Sequence, residues 1–441
     1  MQAGNGAEAG VVGQDAGVEH LGDLDQAGVD GHVGIFFRFV NGDAQVGIEL
    51  HALEPLERQP AALALLRRGL DVEVYEQSTQ LKEVGAGIGI SSNGTRILDA
   101  LGLADALARV QVVTSSREIR HWKTGETWKW MELGEDSIQR YGARHMRLHR
   151  GDLHSILIEA IRGLKANAIR LGQRCVGVTQ SNEGIEVQFD TGETVRAAFA
   201  IGADGIHSKV RECLFGPDRP EFSGCVAWRG LVPMRRLPAH ISRMPGMNWL
   251  GPRGHVMQYP IRRGEIMNFV GFVERNDWQI ESWTVEGTTS ELVNDFRGWH
   301  PDVHAIIRNI DTPFKCALML RGPMERWTKG RITLLGDACH PTLPFLGQGG
   351  VMAIEDGYVI AACLKKYFAD PAIALARYEA IRRERTAAVV LKSHETRKQI
   401  FNPALADEDA IAVSVAQDWQ QAHVRERLDW LYTYDTTTVQ I

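Results

Sequence analysis

Hydrophobic and polar residues follow a helix-then-strand order directly after Pro60. Pro60 suits the first turn of a helix, the apolar run "AALALL" follows it, and Gly69 comes after a basic last turn. The short run "DVEVYEQ" (71–77) then predicts a buried strand with an acid near its end. This order is typical of the second half of a dinucleotide-binding βαβ unit.

Further along the chain, the pattern predicts two more helices and then a series of strands. The helices are expected at 91–103, with a Ser or Asn cap and a stop near Gly102, and at 152–165. Residues 174–205 alternate apolar and polar positions between turn residues, which predicts short strands ending in the buried strand "AAFAIGADG". From about 220 to 320, strand-like segments rich in Trp and Tyr predict a separate sheet-based domain.

The C-terminal part returns to a strand followed by helices. "RITLLGDACHP" (331–341) predicts a buried strand that ends in a turn. "VMAIEDGYVIAACLKKYF" (351–368) predicts a long amphipathic helix, and the remainder is mostly helical by period.

Residues 1–60 differ in composition from the rest of the chain. They contain no Ser, Thr, Lys, Tyr, Trp or Cys, although folded domains use these residues on surfaces and in turns. The stretch 31–50 could form a hairpin around Asn41-Gly42, because apolar residues dominate its first arm. The composition favours the alternative, in which these apolar residues lie together by chance in a segment without a selected fold.

The overall composition is that of a globular enzyme. The 441 residues are 44% hydrophobic and 24% charged, which suits two or three domains. The net charge of −6, without a basic stripe, favours a small-molecule partner over nucleic acid. No apolar run is long enough for a membrane span and no secretory signal is present, so a cytoplasmic location is expected. The six cysteines lack CxxC spacing, so neither disulfides nor a metal site is expected.

Two glycine-containing motifs follow predicted strands. In "IGADGIHSKVR" (201–211), Asp204 and Gly205 come directly after an apolar strand, where ligands bind in α/β folds, and Ser208 and Arg211 follow at fixed spacing. In "LLGDACHPTLPFLGQGG" (334–350), Asp337 could accept hydrogen bonds from ribose hydroxyls. The glycines that follow it could present backbone N–H groups to a phosphate or a negatively charged ring. An ordinary turn is the alternative for either motif taken alone.

Glu76 is the third candidate, because an acid at the end of the second strand of a βαβ unit typically binds the adenosine ribose. "GAGIGI" (85–90) suggests a dinucleotide fingerprint, but it follows the acid strand, whereas the fingerprint must precede it. Its glycines are expected to let the backbone lie close to a flat ligand, or to form a turn.

Five segments together resemble a known enzyme family: "EVYEQ" (73–77), "GAGIGISSNGTRILDALGL" (85–103), "HRGDLHSIL" (149–157) and the two glycine-containing motifs. They resemble the FAD-dependent aromatic hydroxylases, single-component flavoprotein monooxygenases of the salicylate and 3-hydroxybenzoate hydroxylase type. The resemblance runs from about Ala61 to "LDWLYTYD" (428–435).

This resemblance implies an α/β fold. An FAD-binding dinucleotide fold with a parallel sheet would carry an inserted, mostly antiparallel β-sheet substrate domain and C-terminal helices. The expected division is an anomalous N-terminal segment (1–60), a first part of the FAD-binding domain (61–215), the substrate domain (216–320), a second part of the FAD-binding domain (321–370) and a C-terminal helical region (371–441).

The resemblance also implies the residues of an FAD site. Glu76 would bind the FAD ribose, Arg150 would contact FAD, and Asp337 would bind the ribityl or pyrophosphate region. Asp204 matches an Asp associated with both FAD and the nicotinamide nucleotide. The loop 344–350, with the residues Pro344, Gly347, Gly349 and Gly350, would abut the flavin.

The active pocket would lie between the flavin domain and the strand-rich domain. Tyr259 and His255 are the catalytic candidates, and Trp228 and Arg229 are the candidates for substrate binding; a purely structural place in the second sheet is the alternative for each. In the family, NADH or NADPH reduces FAD, the reduced flavin takes up O₂, and the peroxide so formed hydroxylates an electron-rich ring. A hydrogen-bonding residue such as Tyr259 or a histidine would help to ionise the phenol.

Several alternatives stay open. The substrate could be salicylate, another hydroxybenzoate or a hydroxylated N-heterocycle, and the protein could be a monomer or a homodimer. A flavoprotein of the same fold could instead act on a non-aromatic substrate. A catalytically impaired remnant that binds FAD poorly is the rival from another class.

The last alternative arises because the phosphate-binding glycines are missing. Counting back from the helix places the glycines of G-x-G-x-x-G at positions 53, 55 and 58, which hold Leu53, Pro55 and Arg58. Pro55 lacks an N–H donor, and "VGIELHAL" (46–53) lacks the pattern of a wholly buried central strand. The hypothesis is that residues 1 to about 60 are not the family's own first strand and turn, through a frameshift, a misassigned start or a gene fusion.

Overall fold

The structure is a computed structural model and describes residues 35–40, 43–50, 58–81, 86–278, 280, 285–407 and 421–441. For 35–40, 43–50 and 421–423 it describes the backbone. The α-helices of this part of the chain are α1 (Gln59–Arg67), α2 (Ser92–Ala100), α3 (Ala104–Ala108), α4 (Gly134–Tyr141), α5 (Arg150–Leu164), α6 (Lys209–Phe215), α7 (Ala239–Ser242), α8 (Thr289–Asp295), α9 (Pro301–Ile307), α10 (Gly349–Lys366), α11 (Pro371–Ile400) and α12 (Gln421–Tyr432). Short 3₁₀ helices lie at Met234–Arg236, Arg262–Gly264, Gly336–Ala338, Pro344–Leu346, Pro403–Ala406 and Thr436–Thr438.

The strands are β1 (Ile35–Val40), β2 (Asp43–Leu50), β3 (Asp71–Glu76), β4 (Gly87–Ile90), β5 (Val112–Val113), β6 (Ser116–His121), β7 (Thr127–Glu132), β8 (Met146–His149), β9 (Ile169–Leu171), β10 (Cys175–Ser181), β11 (Gly184–Phe189), β12 (Thr194–Ala197), β13 (Ala200–Gly202), β14 (Glu221–Pro233), β15 (Gly246–Gly251), β16 (Gly254–Ile261), β17 (Ile266–Glu274), β18 (Phe314–Leu320), β19 (Thr328–Lys329) and β20 (Ile332–Leu334).

The strands β3 and β13, which were predicted after Pro60, pair in parallel with their neighbours. β3 lies between β2 and β9 and runs parallel to both, and β13 pairs in parallel with β20. Pro60 lies in the first turn of α1, and Gly69 follows the helix with a φ of 76°. The prediction of an α/β fold with a parallel sheet is confirmed.

The stretch at 35–50 has the hairpin, not the absence of structure that its composition favoured. β1 and β2 pair antiparallel with Val40 opposite Asp43. β2 also pairs in parallel with β3, although the pattern of "VGIELHAL" had not indicated a central strand. Asn41, Gly42 and the positions of the first two missing glycines lie outside the described residues.

Helix α1 packs closely against α10. Its residues from Gln59 to Leu65 are buried. A Cβ on Gly357 of α10 would lie 2.7 Å from the backbone of Ala61, so only glycine permits this approach. The contact holds the middle of α10, the helix that follows the glycine loop, against the first turn of α1.

The larger sheet has the strand order β18-β14-β17-β16-β15-β6-β7 among the described strands. Its neighbours are antiparallel except for β15 and β6. Trp228, Trp249 and Phe269 are buried in a core on one face, together with residues of α8 and α9. Two of its strands, β6 and β7, come from before residue 133, so the expected substrate domain at 216–320 omits part of the sheet.

The described residues contain neither a membrane-spanning helix nor a metal-binding cluster. None of their helices is both long and apolar enough to cross a membrane. Within the same part of the chain, no cluster of three His, Cys, Asp or Glu side chains has the arrangement of a metal site.

Candidate active site

Two adjoining cavities lie where the parallel strands meet the larger sheet. The loop cavity, lined by residues 347–351, has a volume of about 270 Å³. The sheet cavity lies against β15 and β16 and has a volume of about 180 Å³. The residues that line both are Gly89, Met257, Tyr259, Phe272, Pro344 and Gly347. Because they share this wall, molecules bound in the two cavities would lie next to each other.

Most of the residues predicted to bind the cofactor line the loop cavity. They are Arg150, Asp204, Asp337, Pro344, Gly347, Gly349 and Gly350. Glu76 does not line it, although its ion-pair partner Arg58 does. The structure therefore brings together residues from distant parts of the sequence, at the carboxyl ends of β13 and β20.

The glycine loop leads from a 3₁₀ turn into α10. Gly347 ends the turn in the left-handed conformation with a φ of 64°, which favours glycine. A Cβ on Gly350 would lie 3.3 Å from Ile88 of β4, which leaves little room for a side chain. The first backbone N–H groups of a helix have no partner within it, so the start of α10 can donate to a polar ring or a phosphate.

Arg211 joins the two glycine-containing motifs. Its guanidinium donates to the backbone oxygen of Ala338 at 2.8 Å and to that of Ile206 at 2.6 Å. Asp204 accepts hydrogen bonds from Ser208 and, at 2.8 Å, from the backbone N–H of Val210. The spacing of Asp204, Ser208 and Arg211 that marked this motif therefore builds the turn before α6 and ties it to the loop after β20.

A buried polar network connects α10 and α11 to the residues that precede the glycine loop. Asp356 of α10 accepts from the backbone N–H of Gly336 at 3.2 Å and contacts His340 at 2.7 Å. Arg382 of α11 donates to Asp356 and to Glu355, each at 2.6 Å. All four side chains are at most 3% exposed. Sequence reasoning missed this network, although "AIED" in an otherwise apolar helix was a signal of buried charge.

Arg58 and Glu76 form a buried ion pair. The two side chains are 2% and 3% exposed, and Arg58 Nη2 lies 2.9 Å from Glu76 Oε2. Burial raises the pKa of the Glu76 carboxyl to about 7, while the Arg58 guanidinium and the backbone N–H of Ser78 oppose the rise. The acid expected to bind a ribose therefore already has a partner, and this partner occupies the position of the third missing glycine.

His255 and Tyr259 lie on the same face of β16, because side chains alternate along a strand. Both line the sheet cavity. Burial lowers the pKa of His255 to about 3, so its imidazole is neutral at ordinary pH. Its Nδ1 has no hydrogen-bond partner among the described residues, and its ring stacks on Phe272 with 5.7 Å between centroids.

Tyr259 lies at the junction of the two cavities. Burial raises the pKa of its phenol, although nearby guanidinium groups, Arg147 first and then Arg229, lower it. Its hydroxyl therefore stays protonated at neutral pH and can donate a hydrogen bond. Gly87 packs against it, since a Cβ there would lie 2.7 Å from the Tyr259 ring. Gly87 and Gly89 of "GAGIGI" thus lie in β4, with Gly87 against Tyr259, and do not form a turn; Gly85 lies outside the described residues.

Trp228 and Arg229 occupy different faces of β14. Trp228 is fully buried in the core on the far face of the sheet, where its Nε1 donates to Asp295 at 2.8 Å. It lines neither cavity, so the expectation that it faces substrate is not met. Arg229 lines the loop cavity instead of the sheet cavity. The alternation of side chains separates these neighbours, and the sequence does not show which of them faces inward.

Residues 60–393 match the protein family described as FAD binding domain. The chain belongs to this family of flavoproteins. The match begins where the regular pattern of the sequence begins, at Pro60.

Characterised relatives are aromatic hydroxylases. 3-Amino-4-hydroxybenzoate 2-monooxygenase PtmB3 from Streptomyces platensis is 37% identical over 388 residues, which cover 86% of this chain and 93% of the relative. 6-Hydroxynicotinate 3-monooxygenase from Pseudomonas fluorescens is 35% identical over 338 residues, with 76% and 87% covered. 3-Hydroxybenzoate 6-hydroxylase from Polaromonas naphthalenivorans is 32% identical over 380 residues, with 85% and 93% covered. This chain is accordingly an FAD-dependent monooxygenase by family.

Solved structures share the fold. Klebsiella pneumoniae HpxO complexed with FAD and uric acid has a TM-score of 0.74 and 25% identity, covering 87% of this chain and 94% of HpxO. A salicylate hydroxylase substrate complex has a TM-score of 0.71 and 25% identity, with the same coverage of the two chains.

The loop cavity fits FAD at one end and is obstructed at the other. Where α10 begins, the glycines leave the backbone bare, and Asp337 and Arg150 line the space beside them. At the end of β3, the guanidinium of Arg58 forms an ion pair with the carboxylate of Glu76. The residues present can therefore hold the flavin end of the cofactor, whereas the adenosine end would have to displace or bypass a buried guanidinium.

Proposed function

We propose that this protein uses FAD, NADH or NADPH, and O₂ to hydroxylate a phenolic aromatic acid bound in the sheet cavity. The observation that carries the proposal is the shared wall of the two cavities. A ring in the sheet cavity would lie beside Pro344, Gly347 and Tyr259, which also border the loop cavity. The names of the relatives, which refer to hydroxybenzoates and hydroxynicotinate, support an aromatic acid as substrate.

Arg150, Asp337 and the loop glycines would hold FAD in this proposal, and Asp204 would act mainly through the turn that it organises. Bound FAD would supply the transfer of electrons from the nicotinamide to O₂ and the delivery of one oxygen atom to the ring. The protein's own part is to position the ring, exclude water and help the phenol to lose its proton.

His255 and Tyr259 are the proposed catalytic residues. The neutral imidazole of His255 lines the sheet cavity and can accept a hydrogen bond from the substrate phenol as its proton leaves. The protonated hydroxyl of Tyr259 can donate a hydrogen bond to the phenolate that forms. A phenolate is the more nucleophilic ring, so the two residues would activate it together.

A second candidate function follows from the Arg58–Glu76 pair. A chain whose ribose acceptor is already occupied would bind FAD weakly, and would act as an impaired remnant of the family. A same-fold enzyme for a non-aromatic substrate has less support, because aromatic side chains such as Phe272 and Trp130 line the sheet cavity. The free cysteines agree with a reducing, cytoplasmic location.

The test is flavin retention followed by turnover. The purified chain would be desalted and its visible spectrum recorded, and then supplied with FAD, NADH or NADPH and a panel of phenolic acids. Retained flavin with acid-stimulated oxidation of the nicotinamide and a hydroxylated product is the expected result. A folded protein that never retains flavin supports the impaired remnant. One that holds flavin but responds to none of the acids contradicts the proposed reaction.

A further inference from the structure

Arg147 is a buried cation of the sheet cavity. It lies on β8, opposite Gly89 of β4, and is 8% exposed. Its guanidinium carbon lies 4.9 Å from the centroid of the Tyr259 ring. It lines the sheet cavity but not the loop cavity. Among the described residues, no carboxylate pairs with it and no side chain or backbone oxygen accepts a hydrogen bond from it.

A buried charge without a partner is costly, so buried guanidinium groups are normally paired. Arg382 illustrates the rule, because it is fully buried and donates to both Glu355 and Asp356 at 2.6 Å. Burial lowers the pKa of Arg147 to about 9, which still leaves the group charged at neutral pH. The stack on Tyr259 stabilises the cation only in part.

The surroundings of Arg147 are electropositive. Arg117 of β6 lines the same cavity and has no ion-pair partner among the described residues. Lys392 and Arg427 also line it. Glu395 is the one acid among its described lining residues, and it is exposed on α11. Among the described residues, the cavity therefore has no buried acid that would balance these cations.

We propose that Arg147 binds the carboxylate of the aromatic substrate. This inference rests on the proposed function and names the residue that selects acids over neutral phenols. A planar guanidinium can bind a carboxylate through two parallel hydrogen bonds. The ring of the acid would then extend along Tyr259 towards Pro344. FAD phosphates do not compete for Arg147, because the arginines that line the loop cavity are Arg58, Arg150 and Arg229.

Gly246 makes room for this guanidinium. It begins β15 opposite Arg117, and a Cβ at this position would collide with the Arg147 side chain. Gly246→Ala would therefore displace the guanidinium without removing its charge. It provides a second variant that tests position separately from charge.

The experiment compares acids with their neutral amides on FAD-loaded protein. Isothermal titration calorimetry would give the Kd of 3-hydroxybenzoate and 3-hydroxybenzamide, of 6-hydroxynicotinate and 6-hydroxynicotinamide, and of 3-amino-4-hydroxybenzoate and its amide. The proteins are the wild type, Arg147→Gln, Arg147→Lys and Gly246→Ala. Arg120→Gln is the matched control, since Arg120 pairs with Asp302 and lines neither cavity.

In the wild type, at least one acid should bind more tightly than its amide. Arg147→Gln should weaken acid binding by about 10- to 100-fold, the usual worth of a hydrogen-bonded charge, and leave the amide within about threefold. Arg147→Lys should retain part of the preference, Gly246→Ala should reduce it, and Arg120→Gln should leave it unchanged. If Arg147→Gln does not fold, the acid-over-amide preference of Arg147→Lys and Gly246→Ala still tests whether Arg147 binds the carboxylate.

Two results overturn the inference in different ways. If Arg147→Gln keeps the wild-type preference for acids, or loses acid and amide affinity equally, Arg147 is not the carboxylate ligand, while the proposed function stands. If the flavin-loaded wild type binds neither acids nor amides, the proposed function fails and the role of Arg147 fails with it.

Discussion

The guanidinium of Arg58 lies 2.9 Å from the carboxylate of Glu76, and both side chains are almost fully buried. Arg58 stands where the spacing of the family fingerprint requires its third glycine, and Glu76 stands where the fold presents an acid to the adenosine ribose. Arg58, which replaces a glycine of the family pattern, thus pairs with Glu76, the acid that would otherwise bind the ribose.

Replacing this arginine should improve flavin binding. Arg58→Gly removes the buried guanidinium and restores a bare backbone at the start of α1. We expect the Kd for FAD, measured by quenching of flavin fluorescence, to fall by about tenfold or more, a change that corresponds to about 1.4 kcal/mol. Arg67→Ala, at the exposed end of the same helix, should leave it unchanged. Equal or weaker FAD binding by Arg58→Gly would refute the idea that the pair blocks the site.

Glu76 should also make stability depend on pH. Burial raises its folded-state pKa from 4.5 to about 7, so between these values the folded state binds more protons than the unfolded state. Its contribution to stability is present below about pH 4.5 and is lost as the pH rises through about 7. Urea denaturation from pH 4 to pH 8 should therefore show a steeper loss for the wild type than for Glu76→Gln. Parallel curves would contradict this assignment.

His255 should matter for turnover and not for flavin content. His255→Ala removes the neutral imidazole from the wall of the sheet cavity, and the loss of a side chain that takes part in ionising the phenol typically costs about 100-fold or more in kcat. FAD retention should stay at the wild-type level, because His255 does not line the loop cavity. A variant with unchanged kcat would show that His255 takes no part in ionising the phenol.

The buried network of Asp356, His340, Arg382 and Glu355 should be important for stability. Asp356→Asn leaves Arg382 without one of its two buried carboxylates and should reduce the free energy of unfolding by about 3–5 kcal/mol. Glu186→Gln is the control, since Glu186 forms an exposed pair with Arg196 and should cost at most about 1 kcal/mol. Chemical denaturation measures both, and similar losses for the two variants would contradict a special role for the network.

The local features of the fold could be predicted from the sequence. The helix after Pro60, the stop at Gly69 and the glycine loop before α10 depend on neighbouring residues, and the structure has them as expected. Strand pairing between distant segments could not be predicted. β6 joins the larger sheet by pairing with β15, and β7 pairs with β6; no local pattern specifies β15 as the partner.

Part of the candidate site could also be predicted from the sequence. Motif spacing identified Asp204 and Asp337, which closely follow strand ends, and the glycine loop that leads into α10. In β14, alternation shows that Trp228 and Arg229 face opposite ways, but the inward face becomes known only when the sheet is packed. Arg147 gave no clear motif, and "AIED" indicated buried charge at Asp356 without showing its partners, since both roles depend on burial and on contacts that only the fold creates.

Product analysis under isotopically labelled O₂ tests the central claim most directly. FAD-loaded protein, preferably with Arg58→Gly alongside the wild type, would be incubated with NADH or NADPH and each phenolic acid of the panel, and the products examined by mass spectrometry. We expect one acid to yield a hydroxylated product that carries one labelled oxygen atom. If flavin is bound and the nicotinamide is consumed, yet no acid gains labelled oxygen, the protein is not the aromatic acid hydroxylase proposed from its two adjoining cavities.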